Sequence, residues 1–176
     1  MIYQHLNFIT IEECSELIGI AETNKYQPGE LSYLRIENLK DDSFKYDKPG
    51  DFLGTRKALV QWPDENNPLI QKIKLEVSKL SGLPIENQES FHIVKYLEGG
   101  EYKKHYDHSS VNPRVKTAMI YLNDSFEGGE TYFPKLENKI VPEVGKLIIW
   151  DNDRDSLHAG LPVQYGIKYI AVIWIQ

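Results

Sequence analysis

His105-Tyr106-Asp107 places an imidazole and a carboxylate two residues apart, and on an extended segment such residues project to the same side. A third ligand from elsewhere in the chain would complete a set of two histidines and one carboxylate. That set suits iron(II) held on one face, with coordination positions left open for other molecules. His158, in Ser156-Leu-His-Ala-Gly160, is the candidate third ligand. Alone, a His-x-Asp reads first as a solvated surface pair, and a lone histidine is no more specific. Ten residues on, Lys168 starts the apolar run Lys-Tyr-Ile-Ala-Val-Ile-Trp174. A lysine there is costly to bury unless an anion meets it, although an edge lysine that reaches back to water is the alternative.

These residues need elements to position them. Thr10 and Glu13 have capping-box spacing, and Cys14, Leu17, Ile18 and Ala21 share one face, so a helix is expected from Thr10 to about Asn24. A second is expected from Asn67 and Pro68 through Leu69, Ile70, Ile73, Val77 and Leu80 to Gly82. After Pro84 the texture changes to short β-rich runs: Phe91 to Leu97, Val115 to Asn123, Glu130 to Phe133, Lys146 to Asp151, and Lys168 to Gln176. Strands with short turns and no helices between them indicate an antiparallel barrel or sandwich. The expected fold is α+β, a double-stranded β-helix (jelly-roll, cupin-like) with the N-terminal helices packed outside. Residues 1–176 are expected to form a single domain. Asn24 to Gly54 carries no clear period, and a flap over substrate is one reading of it. Within the last strand, Lys168, Ile170, Val172 and Trp174 alternate onto one face.

A chain of 176 residues can bury a core that needs no disulfide or structural metal, so a metal here would serve function. Cys14 is the lone cysteine, and the N-terminal residues lack the pattern of a signal peptide, so a reducing, cytoplasmic location is expected. No apolar run is long enough to span a bilayer. The net charge of -6 argues against a nucleic-acid partner.

The motifs stand in one order: Tyr96-x5-Tyr102-x2-His105-x-Asp107, Thr117-x3-Tyr121-Leu-Asn, Gly128-Gly-Glu-Thr131-x-Phe-Pro134, Pro142-x2-Gly145, and Ser156-Leu-His158-Ala-Gly-x-Pro-Val-x2-Gly166-x-Lys168. Over residues 84–176 the chain resembles the prolyl 4-hydroxylase branch of the 2-oxoglutarate and iron(II) oxygenases. The resemblance implies that His105, Asp107 and His158 are the catalytic iron ligands and that Lys168 pairs with the distal carboxylate of 2-oxoglutarate. It places Tyr121, Thr131 and Tyr96 in the cosubstrate pocket, and Glu89, Tyr102, Arg114 and Trp174 along a peptide groove. Lysine at 168 favours the prolyl branch, since the collagen lysyl hydroxylases and nucleic-acid demethylases of the superfamily use arginine there. The implied cosubstrates are 2-oxoglutarate and O2, with ascorbate as reductant, and the implied products are succinate, carbon dioxide and a hydroxylated proline in a peptide or protein. Arg56 is a weaker substrate candidate, because the Arg-Thr-Ser pattern expected there is missing. His5, His92 and His108 fall outside the motifs and read as surface or core residues. Another side chain or a small molecule remains an alternative target, and a non-catalytic metal-binding or peptide-binding module is the alternative of another class. Oligomeric state is not legible.

Overall fold

A computed structural model describes residues 1–28, 56–109 and 113–176, so the possible flap lies outside the described residues beyond position 28. Both expected helices form. In α1 (Ile11–Thr23) the Thr10 hydroxyl accepts from the Glu13 amide while the Glu13 carboxylate accepts from the Thr10 amide, so two of the helix's free donors are satisfied reciprocally. In α2 (Pro68–Ser81) the Asn67 side chain caps the amides of Leu69 and Ile70, and Gly82 ends the helix at φ 72°, a conformation that a side chain would strain.

A seven-stranded sheet carries the core. Its order is β1 (Ile2–His5), β10 (Leu147–Asp151), β6 (Lys116–Tyr121), β13 (Lys168–Ile175), β4 (His92–Tyr96), β3 (Leu59–Gln61) and β2 (Gln27–Pro28). Every pairing is antiparallel. A four-stranded sheet runs in the order β5 (Tyr102–His105), β11 (His158–Gly160), β8 (Thr131–Phe133) and β9 (Asn138–Ile140). A short pair joins β12 (Val163–Tyr165) to β7 (Glu127–Gly128).

Strand alternation sorts the large sheet into two faces. On one, Ile93, Ala118, Ile120, Leu147, Ile149, Ala171 and Ile173 form a continuous core with Cys14, Leu17 and Ala21 of α1 and Ile70, Ile73 and Val77 of α2. On the other, Val94, Tyr96, Met119, Tyr121, Ile148, Trp150, Ile170 and Val172 pack with Phe133 and Ile140 of the four-stranded sheet. Two sheets facing each other across a shared core make the jelly-roll expected from the strand pattern. The functional side chains lie between the sheets.

Candidate active site

His105 is the last residue of β5 and His158 the first of β11, and the two are paired directly across the ladder. Asp107 sits in the bend that follows β5. The strand pairing brings together residues more than fifty positions apart, and one ligand atom from each of the three lies within 4.8 Å of the others. His105 Nε2 is 3.6 Å from one oxygen of Asp107, and His158 Nε2 is 3.7 Å from the other.

The surroundings prepare these atoms for a cation. The carbonyl of Lys103 accepts from His105 Nδ1 at 2.7 Å and that of Ser156 accepts from His158 Nδ1 at 2.8 Å. A carbonyl only accepts, so both rings carry hydrogen on Nδ1 and direct the Nε2 lone pair at the centre. The Thr117 hydroxyl donates to Asp107 at 2.7 Å. Tyr102 stacks on His105 at 3.4 Å, while Trp150 and Phe133 pack around His158 at 4.9 and 5.5 Å. Burial, and then the charge of a neighbouring imidazole, push His158 down to about 4, which keeps its ring neutral. Burial works against the Asp107 carboxylate, but His158, His105 and the Thr117 hydroxyl outweigh it and hold the group well below the usual range. Two imidazoles that present Nε2 and one ionised carboxylate, brought together by paired strands, fit iron(II), which accepts imidazole and carboxylate together and keeps positions open beside them.

The triad lies in the wall of an open-mouthed cavity between the two sheets. Lys168 lines the same cavity, is 2% exposed, and donates to the Gly129 carbonyl at 2.6 Å. Burial lowers its pKa to about 7, with Glu130 acting in the opposite direction. Gly129 permits this approach: it stands at φ 67°, and a Cβ there would meet the Phe126 ring at 2.9 Å and Lys168 Cδ at 3.1 Å. The ammonium lies 5.2 and 5.5 Å from the ring centres of Tyr96 and Tyr121. Tyr96 and Thr131 are on the cavity wall. Tyr121 is fully buried and shares a 2.6 Å hydrogen bond with the Thr131 hydroxyl.

The four residues expected along a peptide groove divide. Tyr102 and Trp174 line the cavity. Arg114 and Glu89 instead bind each other through two 2.7 Å hydrogen bonds, and the guanidinium lies 3.5 Å from the Trp174 ring centre. Arg114 is thus placed to support the outer side of Trp174. The cavity wall also contains Arg56, 4.9 Å from the Tyr102 ring centre, together with His92 and Thr117. Parity was the signal for the last two: His92 shares a strand face with Val94 and Tyr96, and Thr117 with Met119 and Tyr121.

Comparison with known proteins agrees with this geometry. Residues 91–176 match the model of the 2OG-Fe(II) oxygenase superfamily. Over that span the chain is similar to the 2OG-Fe(II) oxygenases, and its relatives make it prolyl 4-hydroxylase-like. A putative prolyl 4-hydroxylase of Acanthamoeba polyphaga mimivirus is 31% identical over 141 residues, spanning 69% of this chain and 58% of that protein. A probable prolyl 4-hydroxylase of Arabidopsis thaliana is 27% identical over 97% of this chain and 66% of its own length. The chain therefore spans less than two thirds of these two curated relatives. Among solved structures, the viral collagen prolyl hydroxylase of Paramecium Bursaria Chlorella virus-1, in complex with 2-oxoglutarate, superimposes with a TM-score of 0.74 at 27% identity, covering 99% of this chain and 94% of that one.

Proposed function

We propose that this protein is an iron(II)- and 2-oxoglutarate-dependent dioxygenase that hydroxylates proline in a peptide or protein, releasing succinate and carbon dioxide. The observation that carries the reading is the buried triad His105, Asp107 and His158 sharing one cavity with the buried Lys168. The triad would hold iron(II), and Lys168 would take the distal carboxylate of 2-oxoglutarate. Bound iron supplies the oxygen activation and C–H oxidation that amino-acid side chains cannot.

The chain's own residues supply geometry and shielding. Thr117 holds Asp107 in orientation, and the Lys103 and Ser156 carbonyls fix the two imidazoles. Thr131, oriented by Tyr121, and Tyr96 would add polar contacts beside Lys168. Met119, Ile170 and Val172 keep the cavity apolar between them. Tyr102 and Trp174 offer flat surfaces to a prolyl ring. On this reading α1 and α2 lie outside the barrel and stiffen the large sheet without touching substrate.

The named activities of the relatives and of the viral collagen prolyl hydroxylase support a peptidyl proline as target. An extended proline-containing peptide also binds at a lower entropic cost than a flexible one, being partly ordered beforehand. Incubation with iron(II), 2-oxoglutarate, ascorbate and a panel of such peptides should give succinate in step with peptide that has gained one oxygen on proline. Succinate formation without peptide oxidation, together with hydroxylation of a free amino acid, sugar or nucleobase, would refute the prolyl target and leave the dioxygenase chemistry standing.

A further inference from the structure

His92 has no place in the sequence motifs, yet it sits in the cavity wall, 1% exposed, directly across the ladder from Val172. Its ring lies between Trp62, at 6.2 Å and 30°, and Trp174, at 4.4 Å and 42°. Nδ1 is 3.3 Å from the Ser90 carbonyl, an acceptor, which assigns the ring hydrogen to Nδ1. Nε2 then keeps a lone pair, and among the described residues it has no hydrogen-bond partner. Burial, and next the charge of Arg56, push His92 down to about 3, so this nitrogen stays unprotonated at neutral pH. Among the described residues the buried indole N–H of Trp174 likewise has no partner.

A buried polar atom left without a partner costs stability, and two on touching rings in one cavity need a reason. An acceptor and a donor side by side are complementary to a secondary amide, which offers one N–H and one carbonyl. We propose that His92 is a substrate-binding residue whose Nε2 accepts the N–H of a peptide unit adjoining the target residue while the Trp174 indole donates to a peptide carbonyl. A prolyl nitrogen has no hydrogen, so with a proline target the N–H belongs to a neighbouring residue. The inference rests on the peptide-hydroxylase reading and adds to it a requirement on the substrate: a free amide N–H beside the proline.

The test measures binding without turnover, by calorimetry on protein loaded with manganese(II) and 2-oxoglutarate. The probes are an alternating Ala-Pro peptide and the same peptide with its alanine nitrogens methylated. His92→Phe should weaken the unmethylated peptide roughly tenfold, the scale of one hydrogen bond to a buried acceptor. His92→Gln, whose amide oxygen reaches the place of Nε2, should restore most of that loss. Methylation should weaken binding to the parent by a similar factor and leave the Phe variant unaffected. Should the Phe variant fail to fold, the Gln variant and the methylated peptide with the parent protein decide the matter. A Phe variant that binds both peptides like the parent, or still discriminates between them, overturns the role of His92 alone. A parent that forms succinate but binds no Ala-Pro peptide overturns the prolyl reading, and this inference with it. Nitrogen-15 spectra of labelled histidine add an independent check: hydrogen on Nε2 of His92 overturns the acceptor role whatever the substrate.

Discussion

Replacing Lys168 by methionine keeps the volume of the side chain and removes its charge, and the consequence for 2-oxoglutarate binding can be worked from the surroundings. The ammonium is buried, with the neutral Gly129 carbonyl as a partner, and its pKa falls to about 7 because burial disfavours the charge. A cosubstrate carboxylate would convert this strained cation into a buried pair. Truncating one partner of such a pair costs roughly 2–5 kcal/mol, or about thirtyfold to a few thousandfold in Kd. The shift also fixes a pH dependence. Below about pH 7 the lysine already carries its proton, so affinity is level; above it the empty protein is neutral and binding must take a proton up. Affinity should then fall toward tenfold per pH unit until the raised pKa of the complex is reached, about 1.4 kcal/mol for each unit. Calorimetric titration of 2-oxoglutarate into manganese-loaded protein, from about pH 6.5 to 9, measures both the slope and the proton uptake. His158, at about 4, titrates below this window. Lys168→Arg, permanently charged, should bind without the slope. A methionine variant with parental affinity, or a parent whose affinity is flat over this range, would refute the assignment.

The same methionine variant without ligand should be more stable than the parent by about 1–4 kcal/mol at neutral pH, the range seen when buried charges are replaced by apolar groups. The gain should be full below about pH 7 and shrink as pH approaches 10.5, since the cost it removes follows the depressed lysine pKa; thermal melts across pH read it. Alanine at His105, Asp107 or His158 should abolish tight iron binding while the circular dichroism spectrum is retained, whereas His108→Ala should leave metal affinity near that of the parent. Thr117→Val removes the hydroxyl that orients Asp107 and should weaken metal binding about 10- to 100-fold, as expected when the partner of a metal ligand is lost. Arg114→Ala leaves the Glu89 carboxylate without its two-point partner and frees one side of Trp174, so it should cost about 1–3 kcal/mol in denaturant unfolding and impair peptide-coupled turnover more than 2-oxoglutarate binding.

What could be read from the sequence divides along physical lines. The helices were legible because their ends carry local chemistry, Thr10 with Glu13 and Asn67 with Pro68, and their buried faces follow a fixed period. Five strands after Pro84, β4, β6, β8, β10 and β13, were legible from turn residues and alternation, but β1, β3, β5, β7, β9, β11 and β12 were not, since they are too short to show a period and are fixed by their pairing partners. The metal-type triad could be named from motif order, and parity with Met119 and Tyr121 could place Thr117 on the cavity face, whereas its hydrogen bond to Asp107 and the roles of the Lys103 and Ser156 carbonyls depend on tertiary contacts. Arg114 shows the limit of residue type as a guide. A guanidinium near a cavity invites a substrate role; here Glu89, twenty-five positions earlier in the chain, takes two of its N–H groups and holds it against Trp174, a pairing that residue type alone does not announce. His92 by type passes for a core histidine; parity with Val94 and Tyr96 puts it on the cavity face, and an Nε2 with no partner among the described residues, beside Trp174, marks it further. Whether a polar side chain is spent inside the fold or kept for a ligand depends on its tertiary partners, and that accounting becomes available only once the two sheets have closed on each other.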